Sequence, residues 1–265
     1  MTKIARVRTP EGLVCHGVVQ DSDTIQIIDG NPFDEWEPTV KTLPLSDVKL
    51  LAPVSPPNII AIGRNYRGHV KETNASLPDH PAVFLKATTA LNNPGDDIVL
   101  PKAAPNEVDY ECELVIIIGK TARHVCESEA LDYVLGYTCG NDVSARDCQK
   151  RLDVQWARAK SFDTFAPMGP WFVTDIDPDQ VAICSRLNGQ VMQSSNTGDL
   201  IFSCRYLISY LSQNFTLLPG TAIMTGTPAG VGFTRRPPVF LRPGDTVEVE
   251  IEGIGVLRNT VTAER

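Results

Sequence analysis

Apolar residues in this 265-residue chain fall into short runs broken by 20 prolines and 19 glycines, and few runs keep the three-to-four spacing of a helix. Thr24-Ile25-Gln26-Ile27-Ile28 suits a half-buried strand. It is one of several β-like runs before residue 50, separated by the turn signals Pro10-Glu11-Gly12, Asp21-Ser22-Asp23 and Asp29-Gly30-Asn31-Pro32. Leu51-Ala52-Pro53-Val54-Ser55-Pro56-Pro57 then reads as a proline-rich linker. A larger unit, 58–265, opens on Asn58-Ile59-Ile60-Ala61-Ile62-Gly63, an apolar strand ending in glycine. Further strands are predicted at 82–86, 111–118, 170–174, 182–187, 221–225 and 246–251, with a hairpin at 252–255 returning through 256–262. Helical spacing is confined to 127–135, about 144–153 and 203–213. The pattern predicts an α+β, β-rich fold with few helices, divided into a small β domain (1–50), the linker (51–57) and the larger unit.

One strand carries a contradiction. In Asn106-Glu107-Val108-Asp109-Tyr110-Glu111-Cys112-Glu113, followed by Leu114-Val115-Ile116-Ile117-Ile118, two carboxylates stand two apart at the mouth of a buried run. Side chains at i and i+2 share a face of a strand, so Glu111 and Glu113 sit together and Cys112 faces away. Such a pair is costly unless a positive charge lies between its members. A solvated strand face is the plain alternative, but the apolar run behind the pair argues against it. Asp142, in Gly140-Asn141-Asp142-Val143, follows another β-like segment and is placed for a strand end, although an Asx cap or turn would suit it equally. Two Glu and one Asp, all oxygen donors, suit a hard ion such as Mg²⁺ or Mn²⁺ rather than zinc.

Three more stretches bear chemistry. In Gly63-Arg64-Asn65-Tyr66-Arg67-Gly68-His69-Val70-Lys71-Glu72, one helical turn would bring His69 and Glu72 together, as in a water-activating dyad or as an incidental surface pair. The polar 73–81 stretch after it suits a mobile lid. Arg146 and Gln149 are three apart and predicted to share a helical face, while Arg146 lies four beyond Asp142, the spacing of a structural ion pair. Lys160 leads into an apolar stretch, where it could snorkel or stabilise an enolate or oxyanion. Met224-Thr225-Gly226-Thr227-Pro228-Ala229-Gly230-Val231-Gly232 lacks the spacing of a nucleotide loop. It reads as a tight turn, or as an anion site lined by backbone N–H groups and the Thr227 hydroxyl.

The net charge of −8 argues against a nucleic-acid or anionic-membrane partner. No apolar run approaches the ~20 residues of a membrane span. Seven scattered cysteines without metal-binding spacing are expected to be reduced, and the protein to be cytoplasmic.

Taken in order, GRNYRGHVKE, the Glu-x-Glu of DYECEL, GNDVSARDCQ, WARAKSFDTFAPMGP and MTGTPAGVG resemble the fumarylacetoacetate hydrolase family, and most of all its acylpyruvase and oxaloacetate decarboxylase branch. The resemblance runs from about Asn58 to the C-terminus. It implies a mixed β-roll, a homodimer and a small 2-oxo acid as substrate, cleaved at a C–C bond through a metal-stabilised enolate. Isomerases and hydratases of the family are the alternative within enzymes, and a catalytically silent metal-binding scaffold the alternative outside them. By the resemblance, Glu111, Glu113 and Asp142 are metal ligands, His69 and Glu72 a lid dyad and Lys160 the active-site lysine. Arg146, Gln149 and Thr227 would contact the substrate's carboxylate and oxo groups. The 73–81 stretch, Trp156 and Phe162 would face its distal group.

Overall fold

The computed structural model describes residues 1–21 and 23–265. Its spine is a mixed sheet that runs, edge to edge, through the strands Trp36–Pro44, Thr24–Gly30, Val14–Val19, Lys3–Arg8, Ala166–Val173, Val134–Asn141, Cys112–Ile118, Ala222–Met224, Ile59–Gly63 and Ala82–Lys86. Neighbours along this path are antiparallel except Ala222–Met224 with Ile59–Gly63, which run parallel. A second, five-stranded sheet orders Gln190–Asn196, Ala182–Leu187, Thr246–Ile251, Gly255–Ala263 and Ile98–Leu100.

Cys112–Ile118 lies in the middle and is buried along its whole length, which explains its continuous apolar sequence: neither face meets water. Cys112, Leu114 and Ile116 pack into a core shared with Leu207, Ile208 and Leu211 of the Cys204–Asn214 helix and with Ile183, Val249 and Leu257 of the second sheet. Val115 packs on the opposite side. That helix begins where Ser203 accepts the Tyr206 amide at 3.2 Å, and it buries residues 204, 207, 208 and 211, one stripe at helical spacing.

The predicted strands are present within a few residues. Two helical expectations change. Residues 127–135 become a 3₁₀ segment, Glu127–Tyr133, because from Val134 the chain pairs with Ile118 and joins the sheet. The 144–153 segment begins extended, as the short strand Ser144–Ala145, and turns helical only afterwards, with Cys148–Leu152 a π-helical turn. Lys3–Arg8 pairs with Ala166–Val173 at Lys3↔Val173 and Ile4↔Phe172, so the N-terminal strands extend the main sheet. In the proline-rich 51–57 segment, Leu51, Ala52 and Val54 are buried, so this connection is packed down rather than free. No helix among the described residues is long and apolar enough to cross a membrane.

Candidate active site

Strand register assembles the carboxylates. Cys112 pairs with Asn141, which sets Glu111 beside Asp142: the Asp142 amide donates to the Glu111 carbonyl at 2.9 Å, and the Asn141 side chain accepts the Glu111 amide at 2.9 Å. Glu113 lies two residues along, on the side away from Cys112. One oxygen from each of Glu111, Glu113 and Asp142 lies within 4.8 Å of the others, and all three side chains are buried. They line a cavity of about 540 Å³ together with His69, Glu72, Arg146, Gln149, Lys160 and Thr227, so every residue singled out from the sequence for chemistry meets in one place.

The positive charge beside the carboxylates comes from three cations. Lys160, ending the short Ala157–Lys160 helix, is 2% exposed; its Nζ donates to Glu111 Oε2 at 2.7 Å and to Asp142 Oδ2. Arg146 reaches Glu111 Oε1 at 2.7 Å and Asp109 Oδ2 at 2.9 Å. It does not pair with Asp142, because residues 142–145 are not helical and the four-residue spacing therefore brings no contact. Lys86, at the end of Ala82–Lys86, donates to the other Asp142 oxygen, Oδ1. Lys86 and Asp109 were not anticipated. Asp109 continues the alternation of Glu111 and Glu113 backwards by one step, a signal present in the sequence. Lys86 ends an apolar strand, a weaker hint.

These contacts set the protonation states. Burial raises the Glu111 pKa, but Lys160 and Arg146 outweigh it and hold the carboxyl well below the usual range. Glu113 goes the other way. Burial, then Asp142 and Glu111, push it well above the ordinary value, against the Gly226 amide that donates to its Oε2 at 2.8 Å. Burial lowers Lys160, yet Asp142 and Glu111 prevail and raise it. Burial lowers Lys86 despite Asp142. Four carboxyls (Asp109, Glu111, Glu113 and Asp142) thus face three cations, and Glu113 is the one left over. An all-oxygen donor set with one uncompensated carboxyl fits a hard divalent ion.

On the Arg67–Glu72 helix the one-turn spacing brings His69 Nδ1 to 3.2 Å from Glu72 Oε2. A carboxylate there places the imidazole proton on Nδ1 and leaves Nε2 with its lone pair. Glu72 Oε1 accepts from the Gly230 amide at 2.9 Å and the Thr234 hydroxyl at 2.7 Å. Burial raises Glu72, but the bonds to His69, Thr234 and Gly230 bring it below the usual range.

The glycine-rich loop differs from the expectation of a ligand-binding anion site. Its Gly226 and Gly230 amides hold the protein's own Glu113 and Glu72. The Thr227 hydroxyl donates to the Cys112 carbonyl at 3.0 Å and accepts from Gln193 at 2.7 Å. Gly226 is required there: its φ is +108°, and a Cβ would stand 2.7 Å from that of Asn65. Arg146 donates to Gln149 Oε1 at 2.8 Å, so the predicted pair does share a face. Thr73, Asn74 and Ala75 of the expected lid line the cavity, as does Trp156. Phe162 does not; its ring packs 5.3 Å from that of Phe165.

The chain belongs to the fumarylacetoacetate hydrolase family: the family model described as Fumarylacetoacetate (FAA) hydrolase C-terminal matches residues 58–262. A second model, Rv2993c-like, N-terminal, matches residues 2–53. The chain is 46% identical to the fumarylacetoacetate hydrolase domain-containing protein 2 homolog of Dictyostelium discoideum, over 87% of this chain and 82% of that one. It is likewise 46% identical to the human mitochondrial oxaloacetate tautomerase FAHD2A, over 83% of this chain and 71% of that one. Among solved structures, the 2-hydroxyhepta-2,4-diene-1,7-dioate isomerase of Mycobacterium marinum superposes with a TM-score of 0.89 at 40% identity, covering 100% of this chain and 99% of the other.

Proposed function

We propose that the protein is a divalent-metal-dependent enzyme that acts on a small 2-oxo acid of the oxaloacetate class, shifting a proton at the carbon beside the 2-oxo group. The observation that carries this reading is the convergence, in one cavity, of three buried carboxylates, a buried lysine and a His–Glu dyad. The oxaloacetate tautomerase name of the human relative describes such a shift, and the mycobacterial structure is likewise named as an isomerase. Glu111, Glu113 and Asp142 would hold Mg²⁺ or Mn²⁺, which when bound supplies Lewis-acid charge to the oxygens of a 2-oxo acid.

Each protein group then has a task. Glu72 keeps the proton of His69 on Nδ1, so Nε2 takes the proton from the substrate carbon and returns it in the isomeric position. Lys160 stabilises the negative charge that collects on the enolate oxygen. Gln149 accepts from Arg146, which leaves its amide NH₂ to donate to the substrate's carboxylate. A second reading, C–C cleavage by hydrolysis of a 2,4-dioxo acid or decarboxylation of oxaloacetate, passes through the same enolate. The dyad favours its hydrolytic form, since His69 can equally draw the proton from water.

The test is proton exchange. In D₂O with Mg²⁺ the protein should exchange the C3 protons of oxaloacetate well above the spontaneous rate. His69→Ala should lower that excess about 10²-fold, and Glu72→Gln about tenfold. Pyruvate accumulating in step with exchange would mark the cleavage reading. No exchange above background with either ion would overturn the proposal.

A further inference from the structure

The cavity's inner cations are spent on carboxylates, but those at its mouth are not. Arg64, Lys150 and Arg236 line the cavity, and among the described residues none of them forms an ion pair. Acidic residues outnumber basic ones 32 to 24 in this chain, so three unpaired cations on one rim run against the overall charge.

Two of the three are held by aromatic shelves. Arg64 is a non-glycine residue at φ +55°, a left-handed backbone that persists only where its surroundings enforce it. Trp156 lies against this turn: a Cβ on the preceding Gly63 would stand 2.5 Å from the indole, and the Arg64 guanidinium carbon lies 5.9 Å from the ring centroid. Lys150 lies four residues beyond Arg146, and both cap one ring. Its Nζ is 3.2 Å from the Phe233 centroid, and the Arg146 guanidinium carbon is 4.5 Å from it. Phe233 is thus shared by an inner cation, committed to Asp109 and Glu111, and an outer one that forms no ion pair. Burial, then Arg146 and Arg64, lower the Lys150 pKa and prevail over Asp109 and Glu107, which pull it the other way.

We propose that Arg64 and Lys150 clamp the second, distal carboxylate of a dianionic 2-oxo acid whose head lies on the Glu111–Glu113–Asp142 floor. The inference rests on the reading of that floor as a 2-oxo acid site and adds its selectivity: dicarboxylates over 2-oxo acids with a neutral tail. A fixed guanidinium fork and an ammonium point charge suit a carboxylate reaching the mouth. Phe233 and Trp156 keep both cations from folding away from it.

The experiment compares oxaloacetate with acetylpyruvate, whose tail is neutral, on Mg²⁺-loaded wild type, Arg64→Met, Lys150→Met and the double variant, by calorimetric binding and by turnover. For oxaloacetate, the double variant should raise Kd and KM roughly tenfold or more, with kcat changed far less. The loss on acetylpyruvate should be at least several-fold smaller, and Lys150→Arg should recover most of the oxaloacetate affinity. Wild-type affinity for oxaloacetate should weaken more steeply with salt than that for acetylpyruvate. Equal losses on both ligands, or no loss on either, would overturn the clamp while leaving the floor intact. If wild type bound neither ligand, the reading of the floor would fall and the clamp with it.

Discussion

Glu113→Gln is expected to remove divalent metal binding, and turnover with it, while making the metal-free protein more resistant to heat. Glu113 is the carboxyl that Lys86, Arg146 and Lys160 leave uncompensated. Losing a partner that merely supports a metal ligand commonly costs 10–100-fold in affinity, so loss of the ligand itself should exceed about 100-fold. The pH dependence follows from the raised pKa. A carboxyl that holds its proton better in the folded state contributes stability that is fully present below the unfolded value and is lost as pH rises through the folded one. The metal-free wild type should therefore lose stability on going from mildly acidic to neutral and alkaline pH. The glutamine variant should lose less, and metal affinity in wild type should rise with pH as the ion displaces the Glu113 proton. Calorimetric titration with Mg²⁺ and Mn²⁺, and thermal denaturation in EDTA across that pH range, measure both. Wild-type metal affinity in the variant would remove Glu113 from the ligand set, and recovery of EDTA-treated wild type with zinc alone would mean a softer site than its oxygens imply.

Lys160→Met should damage stability and catalysis together. The side chain is 2% exposed and bridges Glu111 and Asp142. Removing one member of a buried ion cluster costs about 3–5 kcal/mol, because the remaining charges lose their partner without regaining water. Turnover should fall about 10³-fold, the upper end for loss of a group that faces developing oxyanion charge. Saturating Mn²⁺ should return part of the lost stability, since an ion bound to the folded state supplies charge there and shifts the equilibrium by mass action. Unchanged melting temperature and turnover would mean that the lysine is an idle neighbour.

How much of this site can be read from sequence depends on how far apart in the chain its partners lie. Glu111 and Glu113 declare themselves through a period of two at the edge of a buried run, and His69 with Glu72 through one helical turn, because both relations are local. Asp142 joins them only through strand register, yet its position after a β-like run marks it. Lys86 escapes notice because nothing near it says that its partner is Asp142, 56 residues on. Arg146 illustrates the converse: a four-residue spacing suggested Asp142, but the extended backbone at 144–145 turned the guanidinium toward Asp109 and Glu111 instead. The glycine-rich loop showed its amides without showing their targets. The division into 1–50 and 58–265 leaves no trace of the Lys3–Arg8 strand's place in the main sheet, since β pairing of residues as far apart as Lys3 and Val173 has no local signature.

That loop also limits how such a protein can diverge. Through Gly226 and Gly230 it grips Glu113 on one side and Glu72 on the other, and so acts as a ruler between the carboxylate floor and the His69–Glu72 dyad. Drift in the loop would misalign both at once, whereas Arg64, Lys150 and Arg236 touch neither. Selection for a longer, shorter or uncharged substrate would therefore rewrite the rim and leave the ruler alone, which would let one chemical step serve a range of metabolites.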